Sequence, residues 1–203
     1  MVELFKQGGP FMWPILVLLI AGLIISLERL ISLTRASVNT RKFLANVKNA
    51  LKEGGLEKAL DVCESTPGPV ASIVHAGLSR AGKGLEAVEK AITNAGSIEM
   101  AFLEKGMIWL STIIVIAPML GFTGTVSGMI KAFQDIKNAN DISPSLVAGG
   151  ISEALLTTLF GLVVAMIIQV FNNYFVSKID KLIIDMEESS VEIIDYLVEI
   201  SEK

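Results

Sequence analysis

Three apolar blocks set the terms for any fold of this chain. The first, Phe11–Leu27, reads FMWPILVLLIAGLIISL and is extended past Glu28 and Arg29 by Leu30 to Leu33; the second is Ile108–Ile130, and the third runs from Leu146 to Phe171. About 20 predominantly apolar residues suffice to cross bilayer hydrocarbon as a helix, so each block is long enough to be a span. Composition agrees: 52% of the 203 residues are hydrophobic and only 19% charged, with mean hydropathy +0.60. Ordinary soluble domains carry about a quarter charged residues. The first block differs from a cleavable leader in its nearly uncharged approach (Glu3, Lys6), in lacking a small-x-small site after it, and in the ERL that closes it. It is therefore expected to stay as a transmembrane helix. Trp13 and Trp109 stand at block ends, where interfacial aromatic anchors belong; the alternative is a pair of ordinary packed tryptophans.

Positive charge orients the spans. Residues 35–107 hold ten Lys/Arg and the tail after the third block adds Lys178, Lys181 and Lys203. The N-terminus offers only Lys6, and the stretch between the second and third blocks only Lys131 and Lys137. The expected order is an external N-terminus (1–10), a transmembrane helix (11–33), a cytoplasmic helical domain (34–107), a second transmembrane helix (108–133), an external loop (134–144), a third transmembrane helix (145–175) and a cytoplasmic amphipathic helix (176–203). Within the domain, helices over 38–53, 56–64, 69–80 and 84–107 are separated by GG at 54–55, TPGP at 66–69 and GKG at 82–84. The last, ending IEMAFLEKGM, is expected to run unbroken into the second span. The tail places Ile179, Ile183, Met186, Ile193, Leu197 and Ile200 at near 3,4 spacing with Ser190 as polar member. It either packs on the 35–107 domain or self-associates.

Several function classes are excluded on composition. A net charge of −4 gives no footprint for nucleic acid. Cys63 and His75 are the only cysteine and histidine, so no cluster has metal-ligand spacing. Cys63 shares a helix face with Leu56 and Leu60 and reads as a core thiol. With no nucleophile–base pair, P-loop or dinucleotide fingerprint, neither an enzyme nor a cofactor or metal is expected.

The information lies in the spans. In APMLGFTGTVSGMIKAF, the small residues Ala117, Gly121, Thr125 and Gly128 recur three or four apart, and Gly124 pairs with Gly128; the third block repeats the pattern with Ala154, Thr158, Gly161 and Ala165. In lipid, small residues let helix backbones approach closely, so these stripes pack either on each other or on neighbouring subunits. Thr125 and Thr158 lie on them; their bland role is to hydrogen-bond a carbonyl of their own helix. Glu153 is the single formal charge in SPSLVAGGISEALLTTLFGLVVAMIIQVFNN. If the helix starts at Ser152, Glu153 sits in a wet first turn and complements the helix dipole. If it starts with Ser143 as N-cap and Pro144 at the first position, Glu153 lies about 13 Å along the axis. Lipid exposure there costs about 2.5–3.5 kcal/mol, which points the carboxylate into a bundle interior or wet cavity. Glu153, Thr157 and Gly161 share one side of that helix.

These residues resemble the MotA/TolQ/ExbB family of proton-channel subunits. APMLGFTGTVSGMIKAF looks like its second-span signature, GISEALLTTLFGLVVA like its third, and GGPFMWPILVLLIAGLIISLERLISL is similar to the ExbB-type first span. The resemblance implies an all-α inner-membrane protein of bacteria, with the N-terminus periplasmic and the C-terminus cytoplasmic. It further implies a homopentameric bundle whose central pore encloses two copies of a single-span partner of the ExbD/TolR type. That partner's membrane aspartate carries the proton, and a TonB-like protein receives the work. Carried over, the pore-lining positions are Thr125, Glu153 and Thr158. Two other classes compete: a passive membrane scaffold, and a small-solute secondary transporter, which usually shows internal repeats and broken midplane helices. Neither repeats nor breaks are evident here, although Gly149–Gly150 is the nearest thing to a break.

Overall fold

The computed structural model describes residues 2–139 and 144–201, and every regular element among them is a helix. In chain order these are α1 (Val2–Gln7), α2 (Met12–Ala36), α3 (Thr40–Ser65), α4 (Pro69–Leu78), a 3-10 turn at Ala81–Lys83, α5 (Leu85–Glu104), α6 (Met107–Ala139) and α7 (Pro144–Ser201). Three stretches are long and apolar enough to cross a membrane, one each within α2, α6 and α7. The chain forms two compact units: Met1–Glu28 with Gly106–Tyr174, and Arg29–Lys105 with Phe175–Lys203.

The first unit holds the three apolar blocks, and its outer surface is that of a membrane protein. Val17, Ile20, Ile24 and Leu27 on α2, Val115, Met119, Phe122 and Val126 on α6, and Leu155, Leu162, Met166 and Val170 on α7 are all exposed. Soluble monomers rarely leave contiguous apolar patches of that extent. Trp13 and Trp109 are 64% and 63% exposed, so neither is a packed core tryptophan; Phe5 meets the Trp13 ring edge-on at 5.4 Å. Inside the unit, Met12, Ile15, Leu110, Ile113, Val164 and Ile168 are buried, and Gly22 lets α2 close on Ile168 and Ile113.

Helix bounds decide two questions left open above. α7 begins at Pro144, so Glu153 is nine residues in and the first-turn reading is excluded; Ser143 lies outside the described residues. Gly149 and Gly150 do not interrupt the helix. Conversely, α6 continues to Ala139, past its apolar block. Gln134, Asp135, Lys137 and Asn138 extend it as a polar end that water can solvate.

In the second unit, α4 is apolar and almost wholly buried, with Val70, Ala71, Ile73, Val74 and Leu78 in the core. It packs on α5, where Gly77 meets Ile92 and Val88. α3 is capped by Asn39, whose side chain accepts from the Lys42 amide at 3.1 Å, and it bends at Gly55, where φ is 70° and ψ −161°. The GG at 54–55 is thus a kink between two helical halves, while TPGP and GKG separate elements as expected. Cys63 is 3% exposed, and burial pushes its thiol from its ordinary 9.0 up to about 11.

Two expectations need correction. α5 does not run into α6: Lys105 leaves the helical region (φ −54°, ψ 128°) and Gly106 takes φ 85°. A glycine at positive φ just past the last turn is a helix stop, and EKG supplies it. In the tail of α7 the buried stripe is Phe175, Ile179, Leu182, Met186, Ser189 and Ile193. The polar member is Ser189, not Ser190, and its hydroxyl donates to the Asp185 carbonyl at 2.5 Å. Ile200 is exposed. Glu192 pairs with Lys48 of α3 at 2.6 Å and the Tyr196 hydroxyl approaches the Lys48 carbonyl at 3.5 Å, so the tail packs on the 35–107 domain within its own chain.

Candidate functional site

The site is built on the seam between α6 and α7, and glycine makes the seam possible. A Cβ at Gly161 would lie 2.5 Å from the Ala117 carbonyl oxygen, and one at Gly121 would lie 2.9 Å from the Thr157 carbonyl oxygen. At Gly124 it would meet the Thr157 hydroxyl at 2.5 Å; at Gly128 it would meet Ala154 and the Gly150 carbonyl at 3.1 Å. The two helices therefore touch backbone to backbone over several turns, which packing in lipid rewards. Gly121, Gly124, Gly128, Ala154 and Gly161 all stand on this seam inside one chain, and Ala165 is buried further along.

Close approach brings three hydroxyls onto two carbonyls. Thr125 on α6 and Thr158 on α7 are hydrogen-bonded directly to one another, and either oxygen can be the donor. The Thr125 hydroxyl also lies 3.2 Å from the carbonyls of Gly121 and Ala154. Thr158 reaches the Gly121 carbonyl across the seam at 3.1 Å. Thr157, 1% exposed, donates to Ala154 at 2.8 Å and lies 3.3 Å from the Gly121 carbonyl. A hydroxyl has one proton and two acceptor lone pairs, so these three cannot satisfy every one of these approaches at once. Rotating one hydroxyl exchanges its acceptor without moving a helix.

Glu153 lies five residues before Thr158, about 7.5 Å along the axis. Its side chain is 18% exposed, and one carboxylate oxygen pairs with the Lys131 ammonium of α6 at 3.1 Å. The other lies against Gly9, where a Cβ would come within 2.0 Å of it. Glu153 is the single charge of its own apolar run, so its counter-charge comes from another helix. Lys131 is seven residues after Gly124 and three after Gly128, on the face those glycines press against α7, and that spacing was the available signal. Thr157, on the same side of α7 as Glu153 and Gly161, is the buried hydroxyl of the seam. Beside the site, Ala148, Ile151, Ser152, Leu155, Leu156 and Leu159 line an apolar groove that does not contain the carboxylate. Glu153, expected to face a bundle interior or a wet cavity, meets an ion pair and a glycine turn within its own chain. Among the described residues no group of three His, Cys, Asp or Glu is placed to hold a metal.

The chain is similar to known proteins. The profile of the MotA/TolQ/ExbB proton channel family matches residues 65–188. A biopolymer transport ExbB homologue of Methanothermobacter thermautotrophicus is 33% identical over 180 residues, covering 88% of this chain and 64% of the relative. The biopolymer transport protein ExbB of Xanthomonas campestris pv. campestris is 38% identical over 99 residues, 49% of this chain and 39% of the relative. The Tol-Pal system protein TolQ of Haemophilus influenzae is 36% identical over 76 residues, 37% of this chain and 33% of the relative. The chain spans less than two thirds of the length of these relatives.

Proposed function

The chain belongs to the MotA/TolQ/ExbB proton channel family, a multi-pass membrane protein by its three apolar helices, and from that premise we propose that it is the channel-forming subunit of a proton-driven energising complex in the inner membrane. The observation that carries the reading is the Thr125–Thr158 hydroxyl pair, about 7.5 Å along the axis from the Glu153 carboxylate's position, on two helices in backbone contact. In this reading the subunits form a pentamer around two copies of an ExbD/TolR-type single-span partner. The partner's aspartate takes the proton, Thr125 and Thr158 pass it on or hydrate that aspartate, and Glu153 holds water and sets the local potential. A proton crossing 100 mV releases about 2.3 kcal/mol, enough to bias a conformational step of a few kcal/mol. A TonB-like protein receives that motion and drives outer-membrane transport. The distribution of Lys and Arg supports an N-terminus in the periplasm and residues 34–107 and 176–203 in the cytoplasm. Lipids then face the exposed apolar surfaces of α2, α6 and α7.

A TolQ-type role in a Tol-Pal system is the second reading, favoured by the Haemophilus relative. The ExbB-type role is favoured by the first span and by the Methanothermobacter and Xanthomonas relatives. No enzymatic step belongs to either. The test is a mild-detergent pull-down of the chain from its own membranes, read by mass spectrometry. A small single-span protein with a membrane carboxylate is expected to co-purify in a fixed ratio below one per subunit. Recovery of the chain alone, in a stable oligomer, would instead support a passive scaffold.

A further inference from the structure

Glu153 is the one acidic residue of its apolar run, yet the structure leaves it neither bare nor solvated. Its two oxygens meet two different elements. Lys131 comes from α6, carried there by the Gly124 and Gly128 contacts that set the seam, and its ammonium lies 3.1 Å from Oε2. Gly9 comes from the turn that joins α1 to α2 and lies against Oε1. That turn is specified rather than incidental: Gly9 takes φ 70°, Gly8 presses on Met12, and Met12 is buried. No side chain larger than glycine fits at position 9 while Glu153 keeps its place. Exposure is unequal across the pair, 63% for the Lys131 side chain and 18% for that of Glu153. A lysine stem can lie along apolar surface with its ammonium reaching for a polar partner, so the cation is the movable member and the carboxylate the fixed one.

We propose that Lys131 is the positioning residue of Glu153: it neutralises the carboxylate within the membrane and, with the Gly9 turn as backstop, holds it against α6, about 7.5 Å along the helix axis from the Thr125–Thr158 hydroxyl pair. This rests on the channel reading for its consequence but not for its geometry. With Lys131 in place the pair carries no net charge; when the ammonium swings away, Glu153 presents an uncompensated acceptor to water or to a partner's proton carrier. Lys131 therefore sets when Glu153 is available, and Gly9 sets where it points.

The test uses the complex purified in mild detergent from its own membranes, reconstituted into vesicles with a pH-sensitive dye inside, and compares wild type, K131E, E153K and the swap K131E/E153K. Each single variant juxtaposes like charges and is expected to lower proton flux about tenfold or more, the consequence of leaving a poorly solvated charge without its partner. The swap restores the pair and is expected to recover most of the thermal midpoint in detergent that each single variant loses, because the pair exists whether or not protons flow. Flux stays low in the swap, since position 153 no longer carries the carboxylate. Gly9→Ala should lower flux with Lys131 and Glu153 both intact. Flux and midpoint both unchanged in K131E, or a swap whose midpoint is no higher than that of either single variant, overturns the proposal. A wild type without flux whose midpoints still show the swap's recovery refutes the channel reading and leaves the ion pair standing.

Discussion

Replacing Gly161 by alanine puts the packing of the site to a quantitative test. The added methyl would lie 2.5 Å from the Ala117 carbonyl oxygen, 3.2 Å from the Gly121 Cα and 3.3 Å from the Ala117 carbonyl carbon. All three are backbone atoms, so no rotamer change relieves the clash. Ordinary contact begins near 3.4 Å, and the seam must open by about 0.9 Å to reach it. Opening by that amount carries the Thr158–Gly121 hydrogen bond from 3.1 Å to about 4 Å, beyond bonding distance. The Thr157–Gly121 approach, already 3.3 Å, is lost with it. Overpacking typically costs about 1–3 kcal/mol, and each interhelical bond in a membrane about 0.6 kcal/mol. The helix-propensity gain of Gly→Ala offsets up to about 1 kcal/mol, leaving a net loss of about 1–3 kcal/mol. Gly149→Ala is the control, since nothing lies within 4 Å of the position its Cβ would take, and it should gain up to about 1 kcal/mol. Unfolding in detergent followed by circular dichroism compares the two. A Gly161→Ala protein as stable as wild type, or a Gly149→Ala protein destabilised as much, would refute the backbone-contact account.

Other consequences are equally direct. Thr158→Val keeps volume but removes the hydroxyl shared with Thr125 and the Gly121 carbonyl; it should reduce proton flux about tenfold for a stability cost near 1 kcal/mol. Thr157→Val should show a similar stability cost in the same unfolding assay with flux intact, and the reverse pattern would assign the relay to Thr157. Gly55→Ala should destabilise the second unit by about 1–3 kcal/mol through backbone strain at φ 70°, ψ −161°, because space there is open; a melting curve unchanged from wild type would contradict it. Cys63 ionises near 9.0 in the unfolded chain and at about 11 when buried. Between those values the unfolded chain has lost the proton that the folded chain keeps, so stability falls as pH rises. That part of the slope should vanish in Cys63→Ala, and alkylation of the native thiol should be slow at pH 8.

Much of the architecture was legible because it follows from local chemistry. Apolar blocks of span length, Pro144 at a helix start, Gly55 at a bend and Cys63 among apolar residues each carry their reason within a few neighbours. The stop at Lys105–Gly106 was equally local and was overridden by the apolar run around it. The two serines of the tail were separated by one position, which a 3.5-residue period cannot resolve without knowing the opposing surface; burial chose Ser189. The pair Lys131–Glu153 was hidden for a different reason. It depends on the register of α6 against α7, set by glycine contacts that a single-helix reading treats only as generic stickiness. The third member, Gly9, sits 144 residues from Glu153 in sequence, and no spacing rule spans that distance.

The most direct test of the channel account is proton flux through the purified native complex with and without Glu153→Ala, at matched subunit composition. The account predicts that wild type acidifies the vesicle lumen under an imposed potential, that the variant complex assembles with the same partner ratio, and that its flux falls to background. Wild-type flux in a correctly assembled Glu153→Ala complex would contradict it.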